Sequence, residues 1–268
     1  MDDDQPSTRG QTREDVASAF ERTVDEGRQR LDRTWPSLLA TGTIGGLDVG
    51  VGLLGLLVVR EQTDNALLAA LAFSIGFIAL ALANSELFTE NFLVPIAAVA
   101  AKKAAPHRVG RLWLGTLVMN LVGGWLVMGL VIAGFPQLRP VAVEQAEQYI
   151  RLGIGTQAFA SALLGGMVIT LMTWMQHSTE SMPAKLIAVI GAAFLLAAAP
   201  LNHAIVGSLD MFGALHAGAP FGYLDWLGTL AWAALGNAIG GIGLVTILRL
   251  VQVGREKLEE EREREPEE

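Results

Sequence analysis

The segment AAAPLNHAIVGSLDMF, residues 197–212, decides how the rest of this sequence is interpreted. It resembles a membrane-spanning helix, but Pro200 and His203 interrupt it. Proline removes a backbone hydrogen bond and therefore kinks or ends a helix. Non-helical backbone at bilayer depth is tolerated only where it is buried in protein or lines a cavity, and an ionisable side chain there usually marks an ion or proton path. The segment therefore predicts a broken span whose break carries the function.

The rest of the chain has the composition of an integral membrane protein. Of its 268 residues 51% are hydrophobic, and the mean hydropathy is +0.42. Six mostly uncharged runs are long enough to cross a bilayer core, which takes about 20 helical residues. They cover residues 34–59, 65–84, 112–135, 152–175, 186–209 and 226–248. We expect an all-α membrane domain over residues 34–254, which leaves no room for a soluble catalytic domain.

The two ends, residues 1–33 and 255–268, carry most of the formal net charge of −8. Apolar residues at helical spacing in the first end predict a short amphipathic helix, either on the membrane surface or in solvent. The second end predicts a charged helix or an unstructured tail. Basic residues concentrate beside the spans in AKKAAPHRVGR, residues 101–111, so we expect an integral protein of the cytoplasmic membrane with both termini cytoplasmic. These bases either concentrate anions at the inner mouth or reflect topology alone.

A weak internal repeat relates the two halves of the membrane domain. NLVGG (120–124) in the third run recurs as NAIGG (237–241) in the sixth. The polar stretch SELFTENFLVP (85–95), late in the second run, takes the place that the opening segment has in the fifth. Because three spans make an odd number, the two halves must insert with opposite orientation. The sequence therefore predicts an inverted repeat of three helices, with helices 2 and 5 broken and a site between them.

Four residues at the two breaks are candidates for a permeation path. His203 carries the one side chain that gains and loses a proton near neutral pH. Thr89 has a hydroxyl that both donates and accepts hydrogen bonds, so it can orient either an imidazole or a carboxylate. Leu87 and Phe88 are expected to form an apolar constriction that strips water from the permeant.

The remaining polar residues of the breaks are candidates for structural support. Glu86 and Glu90 either cap the broken helix or contact the permeant. Asn120 and Asn237, each followed by Gly-Gly, are expected to connect spans three and six to the broken segments by hydrogen bonds. The glycines allow close approach of helices.

ELFTENFLVP, NLVGG, the histidine of NHAIVGS and GNAIGG together resemble the formate/nitrite transporter family. The resemblance covers residues 34–254 and is closer to a divergent branch than to the formate channels. It implies an aquaporin-like fold of six helices per protomer, in a pentamer with one pore per protomer. It further implies passage of a small monovalent weak-acid anion such as formate, nitrite, hydrosulfide, acetate or lactate, with or without a proton. The family's central histidine corresponds to His203, its threonine to Thr89, and its constriction to the two residues before that threonine.

Four positions depart from the pattern of formate channels. Glu90 and Asn91 follow the threonine where small residues are common, and Asn202 precedes the histidine where an acid is common. We therefore count these three as candidate pathway residues. An asparagine that those channels have in helix four is replaced roughly by Gly166. An added carboxylate would repel an anion, so a pore for ammonium or a small neutral solute is the alternative.

Other classes of function have less support in the sequence. A water or glycerol channel lacks its paired Asn-Pro-Ala boxes, and an intramembrane enzyme built on His203, Asp210 and Glu86 lacks any HExxH-like pair. No motif in the tails indicates a scaffold or sensor. We expect a transport protein and not an enzyme, with no metal, no cofactor and no nucleic-acid partner. Its expected partners are the permeant, the lipid bilayer and further copies of the chain.

Overall fold

The computed structural model describes residues 8–264, with side chains from residue 14 onward. Within this range the chain forms twelve α-helices, two 3-10 turns and one π-helix. The α-helices, numbered α1 to α12, are Thr8–Asp32, Trp35–Thr63, Ala66–Ala83, Val94–Ala100, His107–Gly134, Arg139–Leu152, Thr156–His177, Met182–Ala198, Ala204–Ala217, Tyr223–Ala238, Ile247–Val253 and Arg255–Glu263. The 3-10 turns are Phe88–Phe92 and Pro136–Leu138, and the π-helix is Ile239–Thr246. Residues 1–7 and 265–268, parts of the two predicted charged ends, lie outside the described residues.

Within residues 8–264, five continuous helical runs are long and apolar enough to cross a membrane. They are α2, α3, α5, α7 and the run Tyr223–Val253, which joins α10, the π-helix and α11. The remaining crossing is divided between the shorter helices α8 and α9, and the chain after α3 continues through a 3-10 turn into α4. The predicted all-α membrane protein, with interrupted second and fifth crossings, is therefore confirmed.

Both interruptions have local causes in the sequence. α3 ends where Asn84 adopts the left-handed conformation, with φ of 52°, which asparagine tolerates better than most residues. α4 begins with Pro95 in its first turn, where no backbone hydrogen bond is lost. α8 ends just before Pro200, and α9 begins after His203, which is its N-cap. The prolines and caps therefore explain why two apolar runs do not continue as straight helices.

Glycines bring α2 against α5 and α7 against the end of α10 at the same place in each half. A Cβ atom on Gly46 would lie 2.2 Å from the carbonyl oxygen of Asn120. One on Gly166 would lie 2.1 Å from the carbonyl oxygen of Asn237. Only glycine fits at these separations, so the close approach in both halves depends on it.

The N-terminal helix α1 packs on the protein. Phe20, Val24 and Leu31 are fully buried, against α4, Trp174 and the start of α5. Neither alternative drawn from the sequence, a membrane-surface helix or a solvated one, describes this face, because protein covers it. α12 lies beside α1, where Arg264 pairs with Asp25 at 2.9 Å.

Candidate functional site

The two breaks meet in the interior of the bundle. The hydroxyl oxygen of Thr89, in the 3-10 turn, lies 2.8 Å from Nε2 of His203, at the start of α9. Both residues have no exposed surface. Two candidates from different halves of the chain are thus in direct contact.

The hydrogen bonds of His203 assign its tautomer. Its Nδ1 lies 3.2 Å from the backbone nitrogen of Val206 and accepts the N–H of that residue. A nitrogen that accepts carries no proton, so the proton of the neutral imidazole is on Nε2 and is donated to Thr89. The hydroxyl of Thr89 is left with its own hydrogen to donate, which gives the site one oriented hydrogen-bond donor.

Asn120 holds the first break in place through three hydrogen bonds. Its Nδ2 donates to the carbonyl oxygens of Gly42 at 2.7 Å and Glu86 at 2.8 Å. Its Oδ1 accepts the backbone N–H of Phe88 at 2.8 Å. The side chain therefore satisfies the backbone groups of Glu86 and Phe88 in the break and connects the break to α2 through Gly42.

Asn237 makes the equivalent set of bonds in the second half. Its Nδ2 donates to the carbonyl oxygens of Ala162 at 2.7 Å and Asn202 at 2.9 Å. Its Oδ1 accepts the backbone N–H of Ala204 at 2.9 Å. The two asparagines thus occupy equivalent positions in the two halves of the inverted repeat.

The other candidates, Leu87, Phe88 and Asn202, differ in the contacts that their side chains make. Leu87 and Phe88 are buried beside Thr89, and Phe88 packs edge-on to Phe92 with ring centroids 5.0 Å apart. Asn202 donates to the carbonyl oxygen of Ala158 at 3.3 Å. Its Oδ1 is buried and has no hydrogen-bond partner within the described part of the chain.

Glu86, Glu90 and Asn91 contact arginines at the C-terminal end of α1 and directly after it. Arg30 Nε lies 3.2 Å from Glu86, and Arg30 Nη1 lies 3.8 Å from Glu90 and donates to Asn91 Oδ1 at 3.1 Å. Arg33 also pairs with Glu86. Glu90 additionally accepts the backbone N–H of Leu87 at 3.2 Å, as a cap of the 3-10 turn. The expectation that an added carboxylate acts as a free charge is wrong, because these acids have cationic partners.

Sequence reasoning missed Arg30, Arg33 and two residues connected to them. Glu26 pairs with Arg30 and lies 2.8 Å from Nε2 of His177, which the sequence places in a loop but which ends α7 and is buried. Burial would raise the pKa of Glu26, but Arg30 and His177 outweigh it and hold that pKa well below its usual range. Burial would likewise lower the pKa of Arg30, but the surrounding glutamates raise it. The sequence signal was the pair of acids inside a span, which require partners.

Two cavities lie at opposite ends of α8. The first, of about 530 Å³, is lined by Met182 and Lys185 at the start of α8, by Arg22 and Arg30 of α1, by Arg33 directly after α1, and by Glu90. The second, of about 300 Å³, is lined by Ala197 and Ala198 at the end of α8, by Pro200, and by Arg60 and Arg151. Basic and acidic side chains line both cavities, with Asp25, Glu26 and Glu90 in the first and Glu144 in the second, and each cavity reaches one of the two breaks.

The bases of residues 101–111 serve mainly to hold the two ends of the chain. Arg111 donates to the carbonyl oxygens of Leu31 and Arg33, and Arg108 pairs with Asp32. Lys103 donates to the carbonyl oxygen of Arg264. None of these three bases lines the first cavity, so the cations there come from α1 and α8 instead.

Comparison with known proteins agrees with this geometry. The family model described as Formate/nitrite transporter matches residues 17–251. Inner membrane protein YfdC of Escherichia coli (strain K12) is 25% identical over 256 residues, which cover 87% of this chain and 77% of the relative. Formate channel BtFdhC of Bacillus thuringiensis is 23% identical over 84% of this chain and 90% of its own length.

Two solved structures have the same fold. An FNT family ion channel superposes with a TM-score of 0.77 at 18% identity, covering 89% of this chain and 99% of its own. A pentameric formate channel with formate bound gives a TM-score of 0.69 at 20% identity, covering 82% and 98%. The expectation of a transport protein and not an enzyme is confirmed by the family. Because the family model spans most of the chain, this protein belongs to the formate/nitrite transporter family of membrane channels and transporters.

Proposed function

We propose that this protein is a channel for small monovalent weak-acid anions such as formate or nitrite. The observation that carries the proposal is the buried hydrogen bond between Thr89 and His203, which joins the two broken crossings. Similarity to a protein named as a formate channel, and to the fold of a pentameric formate channel, supports the substrate class. Lysines and arginines outnumber acids in the lining of each cavity, four to three in the first and two to one in the second, which supports an anionic permeant.

In this proposal Thr89 is the residue that contacts the permeant. Because His203 donates to its oxygen, the hydroxyl hydrogen of Thr89 is directed away from the imidazole and can be donated to an anion oxygen. Leu87 and Phe88, buried on the same segment, exclude water around that contact. A dry site with one oriented donor favours a small anion that can accept a hydrogen bond, over a halide of the same charge that accepts it more weakly.

We further propose that passage is linked to a proton. A second proton on His203 would occupy Nδ1, in place of the bond from Val206, and make the ring an imidazolium. A proton then moves from Nε2 to the oxygen of Thr89 while the hydroxyl proton moves to the anion. The permeant leaves as the neutral acid, which crosses the apolar segment more easily than the anion. Anion uptake is therefore expected to increase as the pH falls.

The ammonium alternative is not favoured. It rested on Glu86 and Glu90 as free acids, and both are paired with arginines. The named relatives with an assigned substrate are formate channels. We therefore keep ammonium only as a comparison solute in the experiment.

We also propose a pentamer in the cytoplasmic membrane, with both termini cytoplasmic. The pentamer is supported by the fold shared with a pentameric channel, and the membrane by the inner membrane relative of Escherichia coli. The orientation is supported by the basic residues that flank the spans on the face carrying α1 and α12. In this orientation the larger cavity is the inner mouth of the pore.

The proposal is tested by reconstituting the full chain in liposomes and following re-swelling by stopped-flow light scattering. Formate, nitrite, chloride and ammonium salts are compared at two pH values. Thr89→Val is expected to slow formate entry about tenfold, since a hydrogen bond to a charged group contributes roughly 1.5 kcal/mol or more. His203→Ala is expected to abolish the pH dependence of formate entry. His107→Ala, which removes an exposed histidine, is expected to change neither the rate of formate entry nor its pH dependence. Rapid ammonium entry without anion entry would contradict the proposal.

A further inference from the structure

Glu86 and Glu90 are buried carboxylates beside the proposed path of an anion. They flank the segment Leu87–Thr89, which contains the proposed contact residue, and their side chains are 1% and 4% exposed. Glu90 lines the larger cavity, through which an anion would reach Thr89. One oxygen of Glu86, Oε2, is buried without a hydrogen-bond partner in the described part of the chain. Two buried carboxylates beside the path would repel an anion unless a cation neutralises them.

The neutralising charges come from the N-terminal helix, from outside the six crossings. Among the described residues, Arg30 and Arg33 are the ion-pair partners of Glu86, and Arg30 is that of Glu90. The side chain of Arg30 is only 8% exposed, and its guanidinium contacts both acids and Asn91. Without Arg30, Glu86 would keep one cationic partner and Glu90 would keep none.

α1 is attached to the bundle by contacts that do not involve Arg30. Phe20 and Val24 pack against α4, and Arg111 donates to the carbonyl oxygen of Leu31 near the end of the helix. Arg264 of the tail pairs with Asp25. Removing the charge of Arg30 therefore leaves most of the attachment of α1 in place, so the electrostatic role can be separated from the structural one.

We propose that Arg30 is a selectivity-determining residue, which neutralises Glu86 and Glu90 so that a monovalent anion can pass the inner mouth of the pore. This inference rests on the proposed function as an anion channel. In this proposal α1 is part of the pore, since Arg30 supplies the positive charge that the first break lacks. It also explains how this chain tolerates a glutamate directly after Thr89.

The test is uptake of radiolabelled formate and radiolabelled methylammonium into liposomes that contain the full chain. Arg30→Gln is expected to reduce formate uptake about tenfold, because a carboxylate without its cationic partner repels an anion. It is expected to increase methylammonium uptake, because the same carboxylate attracts a cation. The double variant Arg30→Gln with Glu90→Gln is expected to recover most of the formate uptake. Arg30→Lys is expected to lose less than Arg30→Gln. Arg28→Gln, a matched change on the same helix at a residue with no ion pair in the described part of the chain, is expected to behave as the unmodified protein.

Two results would overturn the inference. One is formate uptake by Arg30→Gln equal to that of Arg28→Gln. The other is a double variant no better than Arg30→Gln, which would assign Arg30 a purely structural role. Hydrogen exchange over residues 19–31 shows whether α1 stays docked in each variant. If the unmodified protein takes up no anion, the proposed function fails and the inference fails with it. If the unmodified protein takes up formate and Arg30→Gln takes up as much, the inference alone is overturned.

Discussion

Nε2 of His177 lies 2.8 Å from the carboxylate of Glu26, and this contact links the end of α7 to the N-terminal helix. Nδ1 of the same ring lies 2.7 Å from the carbonyl oxygen of Thr173. Both partners offer acceptor oxygens, so the imidazole bridges the end of α7 and the carboxylate of Glu26. Glu26 also pairs with Arg30, which reaches Glu86 and Glu90, so His177 belongs to the same buried polar network as the first break.

The first prediction concerns the attachment of α1 by this pair. His177→Ala is expected to increase hydrogen exchange in residues 19–31 about tenfold, since a hydrogen bond to a charged group contributes roughly 1.5 kcal/mol. His107→Ala, which removes an exposed histidine at the start of α5, should leave exchange in that segment unchanged. Equal exchange in the two variants would mean that the apolar face of α1 holds the helix by itself.

The second prediction concerns acid pH. The pKa of Glu26 is depressed from its usual 4.5, so its ionised form contributes stability that is complete above that value and is lost as the pH falls below it. Hydrogen exchange in α1 at pH 6 and at pH 3 should therefore show a weaker attachment at the lower pH, after correction for the intrinsic exchange rate. Glu26→Gln should reduce this difference. A full difference in the variant would assign the pH effect to other groups.

The third prediction concerns the glycines between the paired helices. Gly46→Ala and Gly166→Ala would each place a Cβ atom against a backbone carbonyl oxygen, at 2.2 Å and 2.1 Å. Backbone cannot move aside easily, so each variant is expected to lose about 3 kcal/mol of stability or to fail to assemble. Gly191→Ala, whose Cβ would meet nothing within 4 Å, is the matched control and should be neutral or slightly stabilising. Thermal unfolding in detergent, followed by size-exclusion chromatography, distinguishes them.

The fourth prediction concerns the two asparagines of the breaks. Asn120→Ala removes the side-chain partner of the buried N–H of Phe88 and of the carbonyl oxygen of Glu86, and Asn237→Ala does the same for Ala204 and Asn202. Each orphaned buried group costs about 1–3 kcal/mol. Both variants should lower the unfolding temperature by similar amounts, as expected from equivalent positions. A large effect in only one of them would argue against equivalent roles in the two halves.

Much of the architecture was predictable because its causes are local. Runs of apolar residues without charge predict helices that cross a bilayer, and Pro95 and Pro200 mark where two of them are interrupted. The repeated Asn-x-x-Gly-Gly pattern predicts that equivalent helices approach their partners closely. A glycine has no side chain, so the neighbouring backbone can come close at that position. The positions of Thr89 and His203 in the two breaks followed from the same repeat.

The charged cluster was not predictable, because its members are distant in sequence and their pairing depends on where α1 docks. The sequence presents residues 1–33 as a solvated or surface segment, and the acids at positions 86 and 90 as helix caps or as contacts of the permeant. A buried carboxylate requires a partner, so the two acids in an apolar run already imply that such partners exist. Their identity as Arg30 and Arg33 depends on tertiary packing, because the apolar face of α1 against α4 sets which side of that helix faces the break.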